Sequence, residues 1–236
     1  VSIVTEFAAT LKGYEKEFVL TALSSKMRSI GNVDVDVIRA EYSKKPRTNI
    51  NVLGIVKKQL FKMISDIENT INSHKEIIAD RSTVSIKQTS VLEAPIERNS
   101  ISHIITSPPY GVESLSYLRT HLLSYRTLKH FLKEDPYDFG KKVIGSEYLA
   151  KEMPNVNDLP VSRISKTYVS FFNKINNVEA GKMYRIRIGM MMNFFQDMDA
   201  VVQRFKVWLK RNGKVAFVIG NKKINGSIIP TDTIIT

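Results

Sequence analysis

The chain contains no cysteine. This absence excludes a disulfide framework and any metal site built on thiolates, and it is consistent with a reducing compartment such as the cytoplasm. Its four histidines, His74, His103, His121 and His130, lie far apart in the sequence. Only the last two are moderately close, and their spacing does not put them on one helical face. We therefore predict no metal site and a cytoplasmic location.

Long apolar runs are also lacking. None reaches the roughly 20 residues that a transmembrane helix needs, and no basic-then-apolar leader stands at the start. We expect no membrane partner. With 236 residues, 43% hydrophobic and 25% charged, the composition suits a globular protein of one large domain, or of one domain plus an insert.

Negative charge is scarce. The 35 Lys and Arg residues outnumber the 23 Asp and Glu residues, which gives a net charge of +12. A field of this sign attracts polyanions, so nucleic acid is the first partner to consider. A basic surface that only keeps the protein in solution is the alternative, and composition alone favours nucleic acid modestly.

Helical periodicity dominates residues 1–80. Apolar residues recur at steps of three and four from about Thr5 to Ile30, and Gly31 can end this helix. A clearer amphipathic helix follows, with one apolar stripe made of Val52, Val56, Leu60, Met63, Ile67 and Ile71. The sequence predicts a helical N-terminal segment whose stripes pack in a core.

Short β patterns come next. Residues 83–88 alternate in hydrophobicity, and residues 102–106 form a short run with two adjacent isoleucines. Residues 214–220 are almost wholly apolar, as in a strand covered on both faces. A helix precedes the last run, and Asn212-Gly213 is expected to stop it. This order predicts an α/β core over residues 81–135 and 188–236. The weakly patterned residues 136–187 are predicted to be an insert.

Ser107-Pro108-Pro109-Tyr110 directly follows the predicted strand at 102–106. Ligands of open α/β sheets bind at the carboxyl ends of strands. The amino group of cytosine or adenine is a poor nucleophile because its lone pair is delocalised into the ring. Ser107 Oγ and the Pro108 carbonyl could be two acceptors that draw it toward a tetrahedral geometry. Both prolines fix their φ angles and lack N–H groups, so the loop is stiff, which suits catalysis by positioning.

Tyr110 would stack on a base that has been extruded from the duplex. A Pro-Pro pair that merely terminates a strand, with Tyr110 filling space, is the alternative for this motif taken alone. The residues around the motif favour the catalytic interpretation.

Residues 99–128 resemble the catalytic region of the amino-group DNA methyltransferases, in which a strand runs into Ser/Asp/Asn-Pro-Pro and an aromatic residue. The Ser-Pro-Pro-Tyr form resembles the cytosine-N4 methylating members more than the adenine-N6 ones. Residues 193–198, 208–221 and 226–232 are similar to the helix, strand and tail that follow the loop. The resemblance covers about residues 83–130 and 190–236 in the right order, which is more specific than a four-residue motif.

The resemblance implies a Rossmann-like methyltransferase sheet and S-adenosylmethionine as the methyl donor. It assigns Ser107 and Pro108 to binding and polarising the target amino group, Pro109 to the same catalytic loop, and Tyr110 to stacking on the base. Thr106, Ser107 and Pro108 would also contact the cofactor. Arg119 and His121 resemble a recurrent Arg-x-His after the loop, and an interpretation as surface or packing residues is equally good.

The family's glycine-rich cofactor loop is absent. None of the 11 glycines falls in an arrangement like Asp-Pro-Phe-x-Gly-x-Gly, and that loop needs small residues so that the backbone can come close to the cofactor. The sheet is therefore expected to be incomplete in this chain. Three explanations stay open: a fragment, one subunit of a split methyltransferase whose partner carries the glycine loop, and a degenerate homologue that binds DNA without methylating it.

Basic residues are interleaved with tyrosines between Lys129 and Arg187. Lys and Arg neutralise phosphates, and some read guanine edges in the major groove. We therefore predict that the insert recognises double-stranded DNA, although a solvated basic face is the commoner explanation for any one residue. The candidate DNA contacts are Arg119, His121, Lys141, Lys142, Arg163, Lys166, Arg185 and Arg187.

Together these features predict a site-specific DNA methyltransferase, or the catalytic-loop part of one, acting on the exocyclic amino group of a flipped base. Cytosine N4 is the preferred target, and the resemblance implies a role in restriction–modification. One alternative is a non-catalytic DNA-binding or specificity subunit, or half of a split enzyme. Another is an RNA or protein amide N-methyltransferase, whose members more often carry Asn-Pro-Pro-Tyr.

Overall fold

The computed structural model describes residues 1–33, 43–45, 47–76, 83–109, 121, 123–132, 135–146, 155–163, 165–176, 181–224 and 226–235. The chain divides into two compact units. The first comprises Val1–Lys87 and Leu118–Pro136, and the second comprises Gln88–Tyr117 and Tyr137–Thr236.

The first unit is helical. It contains α1 (Ser2–Thr10), α2 (Gly13–Ile30) and α3 (Val52–Ser73), with a further helical stretch at residues 123–128. The prediction of one helix from about Thr5 to Ile30 is wrong, because the helix is interrupted: α1 ends at Thr10 and α2 begins at Gly13. That glycine has a φ of 52°, a left-handed conformation that costs a residue without a Cβ little. The predicted end of α2 is confirmed, since the Gly31 N–H donates to the Met27 carbonyl at 2.8 Å.

The predicted second helix is confirmed as α3. Asn51 caps it by accepting a hydrogen bond from the Gly54 N–H at 2.9 Å, which satisfies one of the donors left open in a first helical turn. Its N-terminal half packs into the core of this unit, whose buried members are Val4, Ala8, Val19, Ala22, Leu23, Met27, Ile30 and Val56. Val56 is the only buried residue of α3, and Val52, Leu60 and Met63 pack against the same core while half-buried. The predicted core stripe is therefore confirmed from Val52 to Met63, whereas its last two members, Ile67 and Ile71, are exposed.

The second unit combines helices with short strands. In chain order these are β1 (Ile101–Thr106), α4 (Pro136–Lys141), α5 (Lys166–Asn176), α6 (Lys182–Trp208), β2 (Leu209–Phe217), β3 (Lys222–Ile224), β4 (Ser227–Ile229) and α7 (Thr231–Ile235). Single 3₁₀ segments lie at Val156–Asp158 and Pro160–Arg163. The α/β class is therefore confirmed as a mixture of helices and strands.

The predicted strand at 102–106 is confirmed as β1, but residues 83–88 form no strand. Val84 and Ile86 are 79% and 93% exposed. The apolar residues of this alternating pattern are therefore not buried, and an alternating pattern stabilises a strand only where its apolar face is packed.

β1 and β2 pair in parallel, with Ile104 opposite Val215 and Thr106 opposite Phe217. The register shifts between Ile101 and His103. The prediction that Asn212-Gly213 stops the preceding helix is wrong, because α6 ends at Trp208 and Gly213 lies inside β2. A Cβ on Gly213 would stand 3.2 Å from the Ile101 carbonyl oxygen, so the glycine permits the close approach of the two strands at this irregularity.

One face of the β1–β2 pair packs against α6, through Val201, Phe205 and Trp208. The opposite face carries Ile105, which is 81% exposed, beside the exposed Ala216. The prediction of a strand covered on both faces is therefore wrong for β2. β3 and β4 form a separate antiparallel pair, and within the described residues the sheets have two strands each.

The segment predicted as an insert, residues 136–187, contributes no strand in its described part. It contributes to the main core of this unit instead, where Val156, Tyr168 and Phe172 are buried against α6. The aromatic rings are close, with Tyr168 and Phe172 centroids 4.6 Å apart and Phe172 and Phe195 centroids 5.9 Å apart. Among the described helices, none is long and apolar enough to cross a lipid bilayer.

Candidate functional site

The loop Ser107-Pro108-Pro109 leaves the carboxyl end of β1. The Thr106 carbonyl accepts a hydrogen bond from the Val218 N–H at 2.9 Å, which extends the pairing one step beyond β2 and fixes the position where the loop begins. Pro108 is buried, Pro109 is half-buried and the Ser107 side chain is exposed. Because the two strands are parallel, the segment after Phe217 emerges at the same end.

A cavity of about 200 Å³ lies beside this loop. Its wall is formed by the last residue of β1, the three loop residues, side chains from three other segments and the end of β2. These residues are Val91, Thr106, Ser107, Pro108, Pro109, Ile144, Met198, Val201, Phe205 and Phe217. An engineered cavity of about 150 Å³ holds benzene, so this space is large enough for one six-membered ring. Pockets for drug-sized ligands measure roughly 300–1,000 Å³, so this cavity is too small to enclose a ligand of that size.

The rear wall of the cavity is aromatic. Phe205 of α6 stacks with Phe217 of β2, with ring centroids 6.0 Å apart and an angle of 27° between the planes. Phe205 also contacts Trp208 at 5.8 Å. Faces of this kind offer a flat apolar surface against which another ring can stack.

Asp197 holds one side of the cavity in place. Its carboxylate accepts a hydrogen bond from the Gly145 N–H at 2.8 Å, which ties the turn bearing Ile144 to α6. Burial raises the pKa of the Asp197 carboxyl, and the hydrogen bond from Gly145 opposes that effect. Gly145 has a φ of 70°, a conformation that favours glycine.

The polar groups at the cavity come from the loop, as the other lining side chains are apolar. The cavity therefore combines an aromatic surface at Phe205 and Phe217 with polar groups at Ser107 and Pro108, a lining that suits a neutral planar ligand. No group of three His, Asp or Glu side chains in the described parts of the chain could hold a metal ion.

The residues predicted for catalysis and for cofactor binding divide into two sets. Thr106, Ser107, Pro108 and Pro109 lie together at the cavity, whereas Tyr110 lies outside the described residues. Arg119, of the Arg-x-His pair, also lies outside the described residues. His121 has helical backbone and is exposed.

The predicted DNA contacts are distributed over several elements. Lys166 begins α5, Arg185 and Arg187 are exposed on α6, and Lys142 is exposed in the turn after α4. The backbone of Arg163 lies in a 3₁₀ segment, and its side chain is outside the described set. Lys141 is half-buried and pairs with Asp138 at 2.8 Å. A hydrogen bond from the Lys141 ammonium lowers the pKa of the Asp138 carboxyl.

Sequence reasoning missed six cavity residues. Met198, Val201 and Phe205 were interpreted only as the apolar stripe of a helix, and that stripe is the signal that they share a face with the cavity. Val91, Ile144 and Phe217 reach the cavity through tertiary packing, and no local pattern marks them.

Comparison with protein-family models gives no match. Neither the curated proteins nor the solved structures contain a significant match to the chain.

Proposed function

We propose that the second unit is the target-base part of a site-specific DNA methyltransferase that modifies an exocyclic amino group, with cytosine N4 as the preferred atom. The observation that carries the proposal is the position of Ser107-Pro108-Pro109 at the carboxyl end of a parallel strand, beside a cavity of about 200 Å³ with an aromatic wall. The proposed fold is a Rossmann-like methyltransferase sheet of which β1 and β2 are neighbouring strands.

In this proposal the loop acts by positioning and by fixed dipoles. Ser107 Oγ and the Pro108 carbonyl oxygen accept hydrogen bonds from the two N–H groups of the target base's amino group. The amino nitrogen is thereby drawn toward a tetrahedral geometry, and its lone pair becomes available. The proline pair keeps these acceptors fixed, so little reorganisation is needed when the nitrogen reacts.

A base inside a duplex cannot reach this cavity, so the proposal requires base flipping. The ring would lie against Phe205 and Phe217, whose stacked arrangement supports a flat ligand. Tyr110 is proposed to cover the other face of the base. The net charge of +12 supports a polyanionic partner, and Lys142, Lys166, Arg185 and Arg187 are proposed phosphate contacts.

S-adenosylmethionine is the proposed methyl donor, but the described residues do not fit the whole cofactor. At about 200 Å³ the cavity is smaller than the roughly 300–1,000 Å³ that pockets for drug-sized ligands occupy. The described residues that line it include no carboxylate and no glycine-rich turn. We therefore propose that a second chain or a further segment completes the cofactor site. Double-stranded DNA and this completing part are the proposed partners, and restriction–modification is the proposed setting.

The test supplies labelled S-adenosylmethionine and unmodified genomic DNA to the chain, alone and together with the product of a neighbouring gene. The DNA is then digested and the labelled nucleoside is identified. Label in N4-methylcytosine is the expected result. Label in RNA or protein, with none in DNA, would overturn the proposal.

The matched variants are Ser107→Ala and Ser102→Ala. Both serines are exposed and lie on or next to β1, but only Ser107 lines the cavity. We expect Ser107→Ala to abolish transfer with nearly unchanged DNA affinity, and Ser102→Ala to retain activity. A Ser107→Ala protein that methylates normally would remove that serine from the mechanism.

A second test does not depend on the cofactor. Proteins that flip a base bind more tightly when the target is mispaired, because less pairing energy is lost. We expect duplexes with a mispaired cytosine to bind more tightly than fully paired ones. Equal affinity for mispaired and fully paired duplexes, together with no methyl transfer, would favour the second candidate function, a non-catalytic DNA-binding or specificity subunit. The missing glycine loop supports that candidate.

A further inference from the structure

Apolar side chains recur along one line of α3 at alternating steps of four and three residues. The positions are Leu53, Lys57, Leu60, Ile64, Ile67 and Ile71, and Lys57 is the one polar member. We call these six positions the α3 stripe. The exposed fractions of Leu53, Ile64, Ile67 and Ile71 are 53%, 43%, 50% and 48%.

The α3 stripe is adjacent to the face that α3 packs into its own unit. Val56, Leu60 and Met63 contact the core of this unit, so the half-buried Leu60 lies at the border of the two faces. From Ile64 onward each residue of α3 is exposed. A heptad of apolar positions is the pattern of helices that pair along a seam. Exposed apolar side chains that form one contiguous patch mark interaction surfaces, so the exposed part of this seam indicates a partner helix.

We propose that a second copy of this chain packs its α3 stripe on the first, with the two helices antiparallel. An interface between two copies related by a two-fold axis must be complementary to itself. In the antiparallel register Leu53 faces Ile71 of the second copy, and Leu60 faces Ile64. Each apolar member of the stripe then has an apolar or aliphatic neighbour.

The positions of charged residues along α3 favour an antiparallel over a parallel arrangement of the two helices. Lys57 lies in the N-terminal half of the stripe, and Glu68 borders it in the C-terminal half. In a parallel pair Lys57 would lie beside Lys57 of the second copy, and Glu68 beside Glu68. In the antiparallel pair Lys57 faces Ile67 of the second copy, and Glu68 is the next residue, so two opposite-charge pairs form.

An ion pair on α3 lies away from the α3 stripe. Lys62 and Asp66 lie on the opposite side of the helix and bind each other at 2.9 Å. Lys57 Nζ lies 5.9 Å from the centre of the Phe61 ring, which keeps the ammonium near the stripe. A single Lys at a seam position is a known determinant of register and pairing in coiled coils.

The first experiment measures the mass of the full chain by sedimentation equilibrium over a range of micromolar concentrations, without nucleic acid. We expect a monomer–dimer equilibrium, which Ile64→Asp shifts fully to monomer. Asn69→Asp is the matched control, because it adds the same charge on the side of α3 away from the stripe. A chain that stays monomeric, or an Ile64→Asp chain that still dimerises, would overturn the proposal.

A charge exchange tests the direction. Lys57→Glu or Glu68→Lys alone should weaken dimerisation about tenfold, since each replaces two attractive pairs with two repulsive ones. The double variant should recover the original affinity. A double variant as weak as the singles contradicts the antiparallel pairing.

The absence of cysteine permits a direct check of register. One preparation carries Leu53→Cys and another carries Ile71→Cys. On mixing and oxidation we expect disulfides between the two variants rather than within either one. Disulfides formed only between identical variants would indicate a parallel pair and refute the proposed register. This inference does not depend on the methyltransferase proposal, since none of these measurements uses DNA or a methyl donor.

Discussion

Asp197 on α6 accepts a hydrogen bond from the backbone N–H of Gly145 at 2.8 Å, across 52 positions of sequence. The carboxyl is half-buried. Its pKa is raised because desolvation, which disfavours the ionised form, outweighs the hydrogen bond from Gly145, which favours it. The same bond positions Ile144 at the cavity. One side chain therefore links pH, stability and the shape of the candidate site.

We expect Asp197→Asn to remove a pH dependence of stability. A carboxyl whose folded-state pKa is raised binds its proton more tightly when folded, so its contribution to the free energy of unfolding falls as pH rises through that pKa. Asparagine keeps the oxygen acceptor for Gly145 and does not ionise. Denaturant unfolding should show that the free energy of unfolding of the wild type falls relative to that of the variant as pH rises from mildly acidic to neutral. A constant difference between the two proteins would contradict the argument.

Gly213→Ala should destabilise the second unit by about 1–3 kcal/mol, the usual cost of overpacking. The added Cβ would lie 2.7 Å from Leu209 Cδ2 and 3.1 Å from the Lys210 carbonyl oxygen. Gly220→Ala is the control, because a Cβ there meets nothing within 4 Å. Chemical denaturation of both variants gives the comparison, and equal stabilities would show that β1 and β2 do not approach closely at Gly213.

Tyr168→Phe should raise the free energy of unfolding by up to about 1 kcal/mol, since a buried polar group without a partner costs roughly 1–3 kcal/mol. The Tyr168 ring is fully buried, and its hydroxyl has no hydrogen-bond partner within the described residues. Burial also raises the pKa of this phenol. Tyr184→Phe, at a half-buried position of α6, is the control. A Tyr168→Phe protein that loses more than about 1 kcal/mol would indicate that the hydroxyl is bonded.

Arg185→Gln tests the proposed phosphate contacts. If this exposed side chain neutralises a phosphate, its loss should weaken binding similarly for all duplex sequences. It should also reduce the slope of log affinity against log salt by about 1. Lys58→Gln on α3 removes the same charge in the other unit and should leave the slope unchanged. The measurement is fluorescence anisotropy at several salt concentrations, and an unchanged slope for Arg185→Gln excludes it from the DNA contacts.

Local patterns predicted the parts of this fold that depend on local interactions. The position of β1, the extent of α3 and the end of α2 at Gly31 follow from periodicity and capping, which act within a few residues. The break before Gly13 was not predicted, although a glycine inside a helical pattern weakens the helix and was the local signal for it. The motif at Ser107 was found because it follows a strand whose end could be predicted.

The remaining features depend on contacts distant in sequence. The alternation in residues 83–88 is consistent with a strand, but a strand also needs a neighbour to pair with. Gly213 looked like a helix stop because the approach of Ile101, more than a hundred positions earlier, is invisible in the sequence. The cavity wall joins Val91, Ile144 and Phe217, which no periodicity relates to one another.

The uncovered side of the β1–β2 pair has a practical consequence. Ile105 is 81% exposed and Val218 is 58% exposed, and strands that display apolar side chains and unpaired edges are templates for self-association. Concentrated preparations should therefore bind hydrophobic dyes and precipitate as salting-out salts are added. Ile105→Lys should keep the protein dispersed without disturbing the loop at Ser107.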